Sequence, residues 1–242
     1  MNLLKLPLIM LVFALNLSCN DNISDYNELT KIVPNKYGLR VISNKDQYLQ
    51  LVKLDSNFAF VDLEQFIPNI QLDIRYATSD NFTGKVVYDK ARAYVRLPVA
   101  KKLMSIQNEL NSKGIGLKIF DAYRPYSITL KFWDLIKDTN FVATPWGGSR
   151  HNRGCAVDLS LIDLHTGLEL LMPSEYDDFS DKAHPDNNEF NEEIIANRKL
   201  LIDIMKKYGF TVYPTEWWHY DFNGYNQYSI TDISFDILDS LK

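Results

Sequence analysis

Apolar residues recur at helical spacing between Pro98 and Ser112, where Val99, Leu103, Ile106 and Leu110 form one stripe. Pro98 suits a first helical position and Gly114 follows as a stop, so this stretch is predicted to be an amphipathic helix. A second helical period covers Ser127 to Lys137, with Ile128, Phe132, Leu135 and Ile136 inward. A third runs from Glu192 to Tyr208: Asn191 precedes it as a cap, acids open it, Lys206 and Lys207 close it and Gly209 ends it. Strand-like runs occupy Val61 to Phe66, Ile70 to Tyr76, Gly116 to Phe120, Cys155 to Ile162, Phe210 to Tyr213 and Trp217 to Phe222. Leu168 to Leu171 is a hairpin partner across the turn at Leu164 to Gly167. Helices and strands are interspersed with hairpins and lack a regular alternation, which predicts an α+β fold: a mainly antiparallel sheet with packed helices. Residues 223–242 carry Ile230, Ile233, Phe235, Ile237 and Leu238 and are expected to pack back as a short strand or helix.

The first residues follow a different pattern. Lys5 is a positive start, Leu6 to Leu17 is an apolar run of about a dozen residues, and Ser18 precedes Cys19. Residues 1–19 therefore read as a lipoprotein signal peptide with Cys19 lipidated, an ordinary secretory signal being the alternative; the run is short for a membrane span. Residues 20–57 read as a tether and 58–242 as one domain. The expected location is the cell envelope, outside the cytoplasm, with the lipid anchor as the only membrane contact.

With 242 residues and 46% hydrophobic content the chain can bury a sizeable core. Its net charge of −5 and lack of a dense Lys/Arg run exclude nucleic acid as an expected partner, and nothing points to a protein partner. Of the two cysteines, a lipidated Cys19 would leave Cys155 without a disulfide partner. Cys155 reads as a small buried residue rather than a metal ligand. His165 and His184 read as surface residues.

The remaining histidines carry the candidate chemistry. His151, Asp158 and His219 offer two imidazoles and a carboxylate, the usual ligand set of a three-coordinate zinc site that keeps one position open for water. One Zn²⁺ per chain is expected. Glu216 is a further carboxylate, suited to take a proton from water and return it to a leaving amine. Three residues separate Glu216 from His219, and a plain strand would send them to opposite faces. Pro214 and Thr215 therefore predict an irregular strand start, with a bulge or turn re-aiming Glu216. Gly154 supplies a turn between a loop-borne His151 and a strand-borne Asp158.

The stretch Ser149-x-His151-x-x-Gly154-x-Ala156-x-Asp158, followed by Glu216-x-Trp218-His219, resembles the zinc signature of the D-alanyl-D-alanine dipeptidases of the VanX type. Residues 72–84 and Asp121-Ala122-Tyr123-Arg124-Pro125 resemble two further motifs of that group, so the likeness spans roughly residues 66–222. It implies a metallohydrolase acting on a small D,D-dipeptide, with Arg124 aimed at the scissile carbonyl and Asp121 available to orient it. It also implies that Asp177 meets the substrate ammonium and that Tyr76 and Ser149 line the pocket. A D,D-carboxypeptidase acting on peptidoglycan stems is the alternative. A non-catalytic zinc module is a third reading, disfavoured because a structural site needs neither Glu216 nor Arg124. A dipeptidase requires a wall and a counter-charge at the substrate amine; a carboxypeptidase requires an open groove there.

Overall fold

The computed structural model describes residues 31–139 and 142–242. Its centre is a five-stranded sheet of β3 (Gln71–Leu72), β5 (Ile115–Asp121), β6 (Ala156–Asp163), β8 (Glu216–Phe222) and β7 (Phe210–Tyr213), in that spatial order. The β3–β5 pair is parallel and the other three are antiparallel. Two ribbons complete the strands: β1 (Val41–Ile42) runs parallel to β9 (Ile230–Thr231), and β2 (Phe60–Asp62) pairs antiparallel with β4 (Tyr94–Arg96). The helices are α1 (Lys45–Leu54), α2 (Leu63–Phe66), α3 (Leu97–Asn111), α4 (Tyr126–Leu135), α5 (Glu192–Lys207) and α6 (Phe235–Asp239). The α+β expectation and its mainly antiparallel sheet hold.

The long helices form where the 3.6-residue period predicts them. Val99, Leu103, Ile106 and Leu110 of α3 are fully buried, each burial contributing ~1.5–3 kcal/mol over exposure, and the helix packs on β4 and β5. Asn191 caps α5 by accepting the Ile194 N–H at 2.9 Å, and this helix covers β6, β7 and β8. Strand β6 is central and buried along almost its whole length, so the ligand-bearing strand is held on both edges.

Several expectations are corrected. The tether assigned to residues 20–57 is, in its described part, built into the domain: β1 pairs with β9, and Tyr48 and Leu51 of α1 lie in the core. The run Val61 to Phe66 splits into β2 and α2 because Asp62 caps the Glu64 N–H at 3.1 Å and turns the chain into a helix. Ile70 to Tyr76 is extended only at β3 before a 3₁₀ turn at Arg75–Ala77. Leu168 to Leu171 makes a single bridge, Glu169 to Ile162, and Leu135 is exposed rather than inward. Residues 223–242 supply both of the elements considered for them, β9 and α6. The signal segment and Cys19 lie outside the described residues.

Candidate active site

Sheet register assembles the site. Asp121 of β5 faces Asp158 of β6, and Asp158 faces His219 of β8; residues directly opposite on neighbouring strands share a face, so three side chains 98 residues apart in the chain converge. His151 comes from a 3₁₀ turn, His151–Arg153, that ends at Gly154 with φ 69°. A Cβ on Gly154 would approach Phe60 Cε1 to 2.4 Å, so this left-handed position needs glycine for its space as well as its backbone. Arg96, wholly buried, ties the same turn to β4: its Nε donates to the Arg153 carbonyl at 2.8 Å and its N–H to that of Gly154 at 3.0 Å.

His151 Nε2, His219 Nδ1 and Asp158 Oδ1 form a triangle with sides of 3.2, 3.0 and 3.3 Å. The far nitrogens fix the tautomers. His151 Nδ1 donates to the Ala122 carbonyl at 2.7 Å and His219 Nε2 to Asp221 Oδ1 at 3.0 Å, which leaves the inner nitrogens to present lone pairs. Asp158 Oδ2 accepts the Tyr176 hydroxyl at 2.9 Å, whereas the buried Oδ1 has no hydrogen-bond partner. Two imidazole lone pairs facing an orphaned, buried carboxylate oxygen are mutually repulsive without a cation. Ligands at ~2.0–2.2 Å from a tetrahedral zinc stand ~3.3–3.6 Å apart, so the donor set fits that ion in kind, with sides at or slightly below that span. Burial alone would raise the Asp158 carboxyl, but the two imidazoles hold it well below the carboxylate range. Burial would likewise lower His219, yet the neighbouring carboxylates of Asp158 and Asp221 push it up to about 10; metal ligation needs the neutral ring, so affinity rises with pH. Cys155 stands outside the cluster, its thiol donating to the Arg153 carbonyl at 3.6 Å and pushed up to about 12 by burial.

Glu216 begins β8, and the register shifts between Val212 and Tyr213 opposite it. This irregularity brings Glu216 Oε2 to 3.8 Å from His219 Nδ1, which answers the spacing difficulty with a bulge at the expected place. Glu216 is outside the ligand triangle, and burial holds its carboxyl above the usual range. Arg124 donates through Nε and Nη2 to Asp121 Oδ2 at 3.1 and 2.6 Å, while the other Asp121 oxygen accepts from Tyr88 and the Ala122 N–H. Burial would lower Arg124, but Asp121 keeps it a permanent cation. Asn152 locks the two motifs together by donating to the Arg124 carbonyl and to Thr129, each at 2.8 Å.

Arg124, His151, Asp158, Glu216 and His219 open on one cleft, lined also by Tyr76, Phe82, Phe132, Ser149, Asp177 and Arg150. Ser149 Oγ accepts the His151 N–H at 3.2 Å. Asp177 has φ 62°, a strained value for a residue other than glycine, and accepts the Tyr76 hydroxyl at 3.1 Å. Burial and the nearby Asp158 charge push its carboxyl up to about 8. Trp217 and Trp218 are buried packing residues. His165 is exposed and His184 half-buried, both apart from the cluster. Sequence reasoning missed Asp221, Tyr176 and Asn152. Asp221 had a signal: two residues beyond His219 on a strand, it shares that face.

A free carboxylate beside a buried, cation-seeking triangle at the floor of an open cleft is the arrangement of a metal-dependent hydrolase. The chain belongs to the D-ala-D-ala dipeptidase family, whose model matches residues 56–236. It is 33% identical over 161 residues to the D-alanyl-D-alanine dipeptidase of Escherichia coli (strain K12), covering 66% of this chain and 83% of that one. It is 31% identical over 181 residues to the D-alanyl-D-alanine dipeptidase of Enterococcus faecium, covering 66% and 90%. Among solved structures it resembles the LdcB LD-carboxypeptidase, with 23% identity over 69% of each chain and a TM-score of 0.41.

Proposed function

We propose that the protein is a zinc D-alanyl-D-alanine dipeptidase of the cell envelope. The observation that carries the reading is the unpartnered Asp158 Oδ1 facing two imidazole lone pairs, with Glu216 Oε2 3.8 Å from one of them. His151 Nε2, His219 Nδ1 and Asp158 Oδ1 are the atoms suited to hold the ion, which when bound supplies a Lewis acid that polarises the scissile carbonyl and acidifies water. Glu216 takes one proton from the attacking water and returns it to the leaving nitrogen. The water oxygen bonds to the carbonyl carbon, the C–N bond breaks, and two alanines leave. A carboxyl held above its usual range suits a group that both accepts and gives back a proton. Arg124, fixed by Asp121, donates to the carbonyl oxygen as negative charge grows on it.

Asp177 pairs with the substrate ammonium, positioned by the Tyr76 hydroxyl, and Ser149 offers its hydroxyl to the same cleft. Phe82 packs against Phe132 and Phe179 at 5.1 and 5.7 Å, and this ring cluster beside Asp177 supports a closed amine end, which favours the dipeptide over a longer stem. Side-by-side hydrolysis of D-Ala-D-Ala and a stem pentapeptide by the zinc-loaded enzyme tests it; faster cleavage of the pentapeptide would assign a carboxypeptidase instead.

The raised Asp177 carboxyl has a signed consequence. As pH falls through about 8, Asp177 takes a proton and loses its attraction for the ammonium, so kcat/KM for D-Ala-D-Ala falls. Asp177→Asn should lower kcat/KM and remove this acid limb, read from pH–rate profiles of both enzymes; an unchanged limb would assign it to another group.

The Lys5, apolar-run and Ser18-Cys19 pattern supports lipidation of Cys19, and among the described residues no helix is long and apolar enough to cross a membrane. Cys19→Ser is expected to leave the membrane fraction on cell fractionation. Retention there would remove the lipid anchor from this reading.

A further inference from the structure

A dipeptide presents two charges to the cleft, and the assignments above meet only one. Two guanidinium groups line the cleft, Arg124 and Arg150. Arg124 is committed to Asp121 through two hydrogen bonds. Arg150 is paired more loosely, with the Asp221 carboxylate and the Tyr225 hydroxyl. Its Nε is buried and has no hydrogen-bond partner, lying 3.4 Å from Asp221 Oδ2 outside hydrogen-bond geometry, while two-fifths of the side chain is exposed. Its guanidinium carbon rests 5.2 Å from the Tyr225 ring centre and 5.9 Å from that of Tyr213.

The neighbours of Arg150 differ from those of Asp177 and define a second bank of the cleft. Asp177 belongs with Tyr76 and Phe82, through a hydroxyl at 3.1 Å and a backbone N–H at 3.5 Å. Arg150 belongs with Tyr213, whose ring lies 5.2 Å from that of His219, and with Asp221, the acceptor of His219 Nε2. The ligand triangle and Glu216 line the same cleft. In a dipeptide whose carbonyl faces that triangle, the ammonium and the carboxylate leave the scissile bond in opposite directions, each within about one residue's span, ~3.8 Å. A cation on the second bank complements the anionic end, as Asp177 complements the cationic one.

We propose that Arg150 is the specificity-determining residue for the free C-terminal carboxylate of the substrate, an inference that rests on the dipeptidase reading. The guanidinium fork donates to the carboxylate in a charge-assisted pair, while Asp221 stays with His219. Arg150 thereby selects substrates whose second residue ends the chain and rejects those extended or capped at that end.

The test compares D-Ala-D-Ala with its C-terminal amide, which keeps the ammonium and scissile bond but lacks the anionic carboxylate. Zinc per chain, kcat and KM are measured for the wild type, Arg150→Met and Arg150→Lys. Wild type is expected to favour the acid. Arg150→Met should lower kcat/KM for the acid about 10–100-fold, mostly through KM, the range for a lost hydrogen bond to a charged group. It should leave the amide nearly unaffected and keep its zinc, and Arg150→Lys should restore part of the preference for the acid. Equal losses on acid and amide would overturn the assignment. Loss of zinc in Arg150→Met would also overturn it, showing that Arg150 acts by holding Asp221 and His219. A wild type that cleaves neither substrate would overturn the dipeptidase reading and this one together, whereas the other outcomes bear on Arg150 alone.

Discussion

Glu216→Gln is expected to lower kcat for D-Ala-D-Ala by ~10²–10⁴-fold, the usual worth of general acid–base assistance, while zinc stays bound. The amide keeps the size and hydrogen-bonding reach of the carboxylate but cannot take a proton from water or return one to the leaving nitrogen. The ligand atoms of His151, Asp158 and His219 are untouched, and Glu216 stands outside their triangle. Zinc analysis and steady-state kinetics on the same preparation check both halves. Turnover near that of the wild type would remove Glu216 as the base; loss of zinc would recast it as a ligand or a support of one.

His151→Ala, Asp158→Ala and His219→Ala are each expected to abolish stoichiometric zinc binding and, with it, hydrolysis. Each removes one of three ligand atoms that lie within 4.8 Å of one another, and two remaining protein ligands fall short of an open three-ligand site. Asp221→Asn provides a graded comparison. It keeps all three ligands but weakens the acceptor that fixes the His219 ring at 3.0 Å, and such outer partners are worth ~10–100-fold in metal affinity. Competition with a chelator orders the variants. Full zinc in all three alanine variants would refute the ligand set, and an Asp221→Asn affinity equal to that of the wild type would remove Asp221 as its support.

What the sequence made readable depends on the range of the interactions involved. The α3 and α5 helices were visible because their stripes, caps and stops lie within a few residues of each other, as with Asn191 and the Ile194 N–H. The split of residues 61–66 was not, because a short apolar run suits strand and helix alike, and the Asp62 cap decides between them. The 31–57 segment reads as a tether although it carries a short helix capped by Asn44 with Tyr48 and Leu51 inward. Its place depends on pairing Val41 with Ile230, a contact across most of the chain that no local pattern encodes.

At the site, the sequence by itself determined the chemistry: two imidazoles, a ligand carboxylate, a second carboxylate and an arginine, each of a residue type whose protonation and ligand properties are intrinsic. It also determined that Glu216 needs an irregular strand, since a period of two forbids residues three apart from sharing a face. Only the tertiary structure decided which atoms meet. The register of β5, β6 and β8 sets Asp121, Asp158 and His219 side by side, and the Ala122 carbonyl and Asp221 choose which nitrogen of each histidine faces inward. The physical reason is that residue type sets what a group can do, whereas strand register, tautomer and burial are fixed by partners far away in the chain, and these turn a list of polar residues into an oriented site.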